Sequence, residues 1–94
     1  MSNKWVRAIE EERIRQIAKE GWTAQHDDSY TADEIALAAV CYTLPIGSFR
    51  LLNNLWPWGN AWWKPTTRKR NLVKAGALIV AELERLERAE DTLQ

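Results

Sequence analysis

The sequence predicts an all-α protein, a small bundle of three main helices with a tryptophan-rich loop before the last one. Apolar residues recur at three- and four-residue steps in three stretches, helix-capping residues sit at their boundaries, and no comparable strand signal occurs. These patterns place helices over about 2–20, 32–44 and 68–89, with the loop over 45–66. At 94 residues the chain supports one core, so 1–94 reads as a single helical domain.

In the first helix Val6, Ile9, Ile14 and Ile17 fall within an arc of about 140° at 100° per residue, and charges fill the rest. Ser2 is the expected N-cap, and Gly21 sits where a left-handed residue would end the helix. Trp22 to Ser29 (WTAQHDDS) reads as a polar loop. Thr31 with Glu34 fits a capping box opening the second helix. There Ile35, Ala38, Ala39 and Tyr42 mark one face, but the other faces are apolar too, so this is the expected central helix, ending before Pro45.

Within the loop, Phe49 to Leu55 can form a short helical turn, and Trp56-Pro57-Trp58-Gly59-Asn60 reads as a tight turn. Pro65 closes the segment, and Thr66 or Thr67 is the expected cap of the last helix. That helix carries Leu72, Gly76, Ile79, Leu83 and Leu86 at three- and four-residue steps. Gly76, with Ala75 and Ala77, would admit a close helical neighbour, and the tail after Glu90 is expected to fray. The second and third helices present more apolar surface than the first can cover. Self-association is the simplest remedy, so a homo-oligomer is expected.

Charge is unevenly placed. Thirteen bases balance thirteen acids, which argues against a general coat for long nucleic acid. Yet residues 50–74 hold six bases (Arg50, Lys64, Arg68, Lys69, Arg70, Lys74) and no acid, and four of the six tryptophans lie there. A local basic, aromatic segment in a neutral chain points to a small, planar, anionic partner. The longest apolar run, Ile35 to Tyr42, is far short of the ~20 residues needed to span a bilayer, so no membrane partner is expected. Acids occupy the N-terminal segment where a signal peptide needs apolar residues, and the expected location is the cytoplasm. The lone Cys41 excludes an internal disulfide and reads as a core residue.

Indole faces stack on nucleobases and Arg or Lys neutralise phosphate, so the Trp-rich segment and its basic neighbours form the sharpest candidate site. The alternative, that the tryptophans plug an under-built core, stays open. The expected ligand-binding residues are Trp58, Trp62, Trp63, Lys64, Arg68, Arg70 and Lys74. Arg68 and Arg70, two apart, cannot share a helix face; Arg70 and Lys74, four apart, can. Bases at the start of the last helix oppose its dipole, a penalty that a docked anion would remove. The Glu10-Glu11-Glu12 run reads as a solvated face and His26-Asp27-Asp28 as a structural turn. No catalytic residue, metal or cofactor is assigned.

Glu12 to Ile17 (ERIRQI), Glu20-Gly21-Trp22-Thr23, His26-Asp27-Asp28, Trp56-Pro57-Trp58, Trp63-Lys64-Pro65 and Arg70 to Arg85 together resemble a family of small bacteriophage and prophage proteins. The order of these motifs is also similar, more distantly, to phage MazG-like nucleoside triphosphate pyrophosphohydrolases, all-α oligomeric enzymes that hold Mg²⁺ on facing carboxylates. Asp33-Glu34 stands where the first carboxylate pair would be, with its second partner missing, and Asn71 and Lys74 stand near the later acids. The resemblance therefore implies a lost metal site and a retained affinity for phosphate. The expected function is a non-catalytic, phage-type nucleotide-binding protein, an anti-defence sponge for a host immune signalling nucleotide such as a cyclic dinucleotide or a cyclic ADP-ribose derivative. The alternatives are a diverged Mg-dependent pyrophosphohydrolase using Glu11, Glu34 and Asp27, and a module that binds a host protein.

Overall fold

A computed structural model describes residues 3–45 and 47–92. Five α-helices and one 3₁₀ turn follow in order among the described residues: α1 (Lys4–Glu20), α2 (Ala24–Asp28), α3 (Glu34–Thr43), α4 (Phe49–Leu55), the 3₁₀ turn Asn60–Trp62, and α5 (Arg68–Thr92). The described residues contain no strand, so the fold is all-α, and α1, α3 and α5 are its main helices. No described helix is long and apolar enough to cross a membrane.

Local signals explain most boundaries. Asn3 caps α1, its Oδ1 accepting from the Trp5 and Val6 amides; Ser2, the expected cap, lies outside the described residues. Gly21 ends α1 in the left-handed region at φ 75°, a conformation that strains any residue with a Cβ. The expected polar loop after Trp22 contains a helical turn, α2, because Thr23 Oγ1 accepts from the His26 amide and caps it. The expected Thr31–Glu34 capping box does not form. Asp33 is the N-cap, left-handed at φ 65° and without a side-chain bond, and Glu34 instead accepts from the Ala32 amide at 2.6 Å. Thr67 caps α5, its Oγ1 accepting from the Arg70 amide, and α5 runs to Thr92; the last two residues of the tail expected to fray after Glu90 lie outside the described residues.

The core joins α3 to α5. Ile35, Ala38, Ala39 and Tyr42 pack against Ala75, Leu78 and Ala81, with Trp22 closing one side. Small side chains on both helices let their backbones approach, which is why the alanine-rich stretch is the buried face of α5. The other apolar pattern of α5 behaves differently: Leu72, Ile79, Leu83 and Leu86 face solvent. The buried face of the first helix is likewise rotated away from its apolar arc. Val6, Ile14 and Ile17 are exposed, whereas Glu12, Arg13 and Gln16 are buried. Electrostatics decides this, because α5 offers α1 the charges of Arg70 and Glu84, and Glu12 and Arg13 dock onto them. Where the two helices touch, Gly76 makes room for Ile9; a Cβ there would lie 2.7 Å from Ile9 Cδ1.

Candidate functional site

Two adjoining features form around the start of α5 and the Trp-rich segment. The first is a cleft of ion pairs. Glu12, its side chain fully buried, accepts two bonds from Arg15 at 2.7 and 2.9 Å, one from Gln16 at 3.2 Å, and one from Arg70. Glu20 pairs with Arg15 at 3.2 Å and with Lys64 at 3.2 Å. Lys74 Nζ donates to the Lys64 carbonyl at 2.6 Å and lies 5.7 Å from the Tyr42 ring centre. Four cations thus surround two carboxylates, and the cleft carries surplus positive charge.

The ionisation equilibria reflect that surplus. Burial opposes the charge on Glu12, but hydrogen bonds and charges from Arg15, with Arg70 and Gln16, hold its carboxyl below the ordinary value. Glu20 is held down likewise, Lys64 and Arg15 outweighing burial. Lys74 is pushed below the ordinary lysine value, first by burial and then by its cationic neighbours Arg15 and Arg70 against the pull of Glu12. Burial raises the Tyr42 phenol, whose oxygen accepts from the Lys64 amide at 3.2 Å.

The second feature is an aromatic cavity of about 200 Å³ lined by Trp22, His26, Tyr30, Trp58, Gly59 and Trp62. His26 stacks on Trp22 with planes 5° apart, and Tyr30 packs edge-on to His26 and tilted against Trp58. Asp27 fixes the floor. It is buried, accepts from Arg13 Nη2 at 2.9 Å, and lies 3.0 Å from His26 Nδ1. Trp58 Nε1 is a buried donor without a hydrogen-bond partner among the described residues. Lys64 links the two features, since its Nζ pairs with Glu20 and stands 5.9 Å from the Trp62 ring centre.

The expected site residues divide. Trp62 is 46% exposed, whereas Trp58 lines the cavity and Trp63 packs between Tyr42 and Trp56 as part of the core wall. The set is therefore split between core packing, for Trp58 and Trp63, and exposure, for Trp62. Lys64, Arg70 and Lys74 meet in the cleft, as the four-residue spacing of the last two requires. Arg68 points elsewhere and donates to the Leu44 carbonyl at 2.8 Å. The anion that answers Arg70 at the start of α5 is the chain's own Glu12. Sequence reasoning missed Trp22, His26 and Tyr30, because the turn of α2 that gathers them was read as loop. It also missed Glu12, which falls in the run read as a solvated face, and Arg15.

Glu11 is exposed, Glu34 holds the Ala32 amide, and Asp27 is engaged by Arg13 and His26. No group of three or more His, Cys, Asp or Glu residues able to hold a metal gathers among the described residues. No protein-family model, curated protein or solved structure matches this chain.

Proposed function

We propose that the protein is a non-catalytic nucleotide-binding protein that sequesters a signalling nucleotide of the cyclic dinucleotide or cyclic ADP-ribose class, in the manner of a phage anti-defence sponge. The observation that carries the reading is Lys64, shared between a cleft of surplus positive charge and an aromatic cavity with an exposed indole at its edge. Phosphates take the cleft, drawn by Arg70, Lys74 and Lys64. A base takes the aromatic side, stacking on Trp62, with Trp58, His26 and Tyr30 as walls. Stacking on an indole contributes about 1–3 kcal/mol, and a charge-assisted phosphate contact about 1.5–3 kcal/mol. Together these suit a compact ligand that carries both groups.

Isothermal titration against cyclic dinucleotides and cyclic ADP-ribose tests the reading. Arg70→Ala and Lys74→Ala should each weaken binding about ten- to a hundredfold, and Trp62→Ala by a similar factor. Arg50→Ala, an exposed cation of the same basic segment, should leave binding unchanged. Ligand recovered from heat-denatured protein by mass spectrometry should be chemically intact. Wild-type affinity in the Arg70 and Lys74 variants, or metal-dependent turnover of the nucleotide, would overturn the proposal.

A further inference from the structure

The long helix α5 carries charges of the wrong sign at both ends. It opens on Arg68, Lys69 and Arg70 with no acid in its first turn, and it closes past Glu87, Glu90 and Asp91 with no base in its last. A helix is positive at its N-terminus and negative at its C-terminus, so each end repels its own side chains. Arg70 is answered by Glu12, while Arg68 and Lys69 are exposed and pair with no carboxylate among the described residues, Arg68 donating to the Leu44 carbonyl and Lys69 resting 5.7 Å from the Trp5 ring centre. Glu87, Glu90 and Asp91 are exposed and make no ion pair among the described residues.

Between these ends runs the apolar line of Leu72, Ile79, Leu83 and Leu86, with Gly76, covered by Ile9 of α1, at its edge. The spacing is four, three, four, three, the two-position repeat of a helix seam that supercoils with another helix. At 100° per residue the four large side chains fall within about 60°, and Ile79 and Leu83 are 51% and 60% exposed. A trough between α3 and α5, lined by Ala36, Val40 and Ile79, extends the apolar face sideways. Scattered single hydrophobics are normal on a monomer; four large apolar side chains exposed along one line of a helix mark an interaction surface.

We propose that α5 pairs with α5 of a second copy of this chain, antiparallel, about a two-fold axis near Ile79. The strip is centred on Ile79 and the helix on its neighbour Val80, so an antiparallel copy lays strip on strip and end on end. Arg68 and Lys69 then meet the partner's Glu87, Glu90 and Asp91, and each helix terminus receives side chains of the sign its dipole favours. A parallel copy would set base against base and acid against acid. The interface is isologous, and every contact occurs twice. It rests on the strip and the end charges alone and requires no ligand.

Sedimentation equilibrium of the full chain tests the pairing. The wild type should form a dimer, or an even-numbered assembly built on it. Leu83→Glu should abolish that pairing with unchanged helix content by circular dichroism, because Leu83 is exposed within the protomer. Lys69→Glu should weaken association at least about tenfold at low salt, since each substitution acts twice. Adding Glu90→Lys to Lys69→Glu should restore it, because the reversed charges again face each other in the antiparallel arrangement. A monomeric wild type, an assembly insensitive to Leu83→Glu, or a double charge reversal no tighter than the single one overturns the proposal.

Discussion

Glu12 is the residue on which stability and anion affinity pull in opposite directions, and Glu12→Gln separates them. The carboxylate is fully buried and accepts from Arg15, Gln16 and Arg70. Removing one member of a buried ionic network costs about 3–5 kcal/mol, since the remaining charges lose their counter-ion. Arg15 and Arg70 are 38% and 40% exposed, so both can turn toward water, and screening trims the loss to about 2–3 kcal/mol. For a domain of this size each kcal/mol lowers Tm by about 4–8 °C, giving a fall of roughly 8–24 °C by circular dichroism. The same variant leaves Arg70 and Lys74 without their internal anion, so added pyrophosphate should raise its Tm more than it raises that of the wild type. A fall smaller than about 4 °C would refute the account of Glu12 as the anchor of α1 on α5. Equal pyrophosphate responses would show that the carboxylate and a bound phosphate do not share those cations.

Two further outcomes follow from the same ionic framework. Asp27→Ala should cost about 3–5 kcal/mol in urea denaturation, because it strands buried Arg13 and releases His26 from the cavity wall; a loss under about 1 kcal/mol would mean that Arg13 is held well enough by Glu84 and the Trp22 carbonyl. Stability should also decline in acid: Glu12 and Glu20 have folded pKa values below the ordinary 4.5, so their contribution is complete above that pH and disappears as pH falls through the lower folded values. Tm measured across that range should drop more steeply for the wild type than for Glu12→Gln, and parallel curves would contradict the assignment.

The α3–α5 core was legible in the sequence because Ile35, Ala38, Ala39 and Tyr42 and the alanine-rich stretch of α5 announce burial by composition alone. The orientation of α1 was not. Its apolar arc argued for burying Val6, Ile14 and Ile17, and periodicity cannot show that the opposite helix offers Arg70 and Glu84 instead. Tertiary electrostatics turned the helix by roughly 80° at 100° per residue, keeping Ile9 against α5 but bringing Glu12, Arg13 and Gln16 inward. The heptad-like line of α5 stays outside for a related reason: both of its patterns are helical, and the alanine face takes the core because it lets α3 come close. At the site, the pairing of Arg70 with Lys74 followed from spacing. The aromatic cavity required knowing that Thr23 caps a turn, which gathers Trp22, His26 and Tyr30 beside Trp58 and Trp62 of the later, separate loop.

The polar inner face of α1 has a consequence for how the chain is made. Arg13 finds Asp27 14 residues on, but its α5 partner Glu84 lies 71 residues further along, so α1 cannot dock on α5 until that helix has been synthesised. At about 5–20 residues per second the ribosome leaves that helix waiting roughly 4–14 s. A hydrophobic docking face would spend those seconds open to wrong contacts. Glu12, Arg13 and Gln16 are content in water during the delay, and they recognise α5 by charge when it arrives. The helix can therefore wait for α5 with the polar part of its inner face in water.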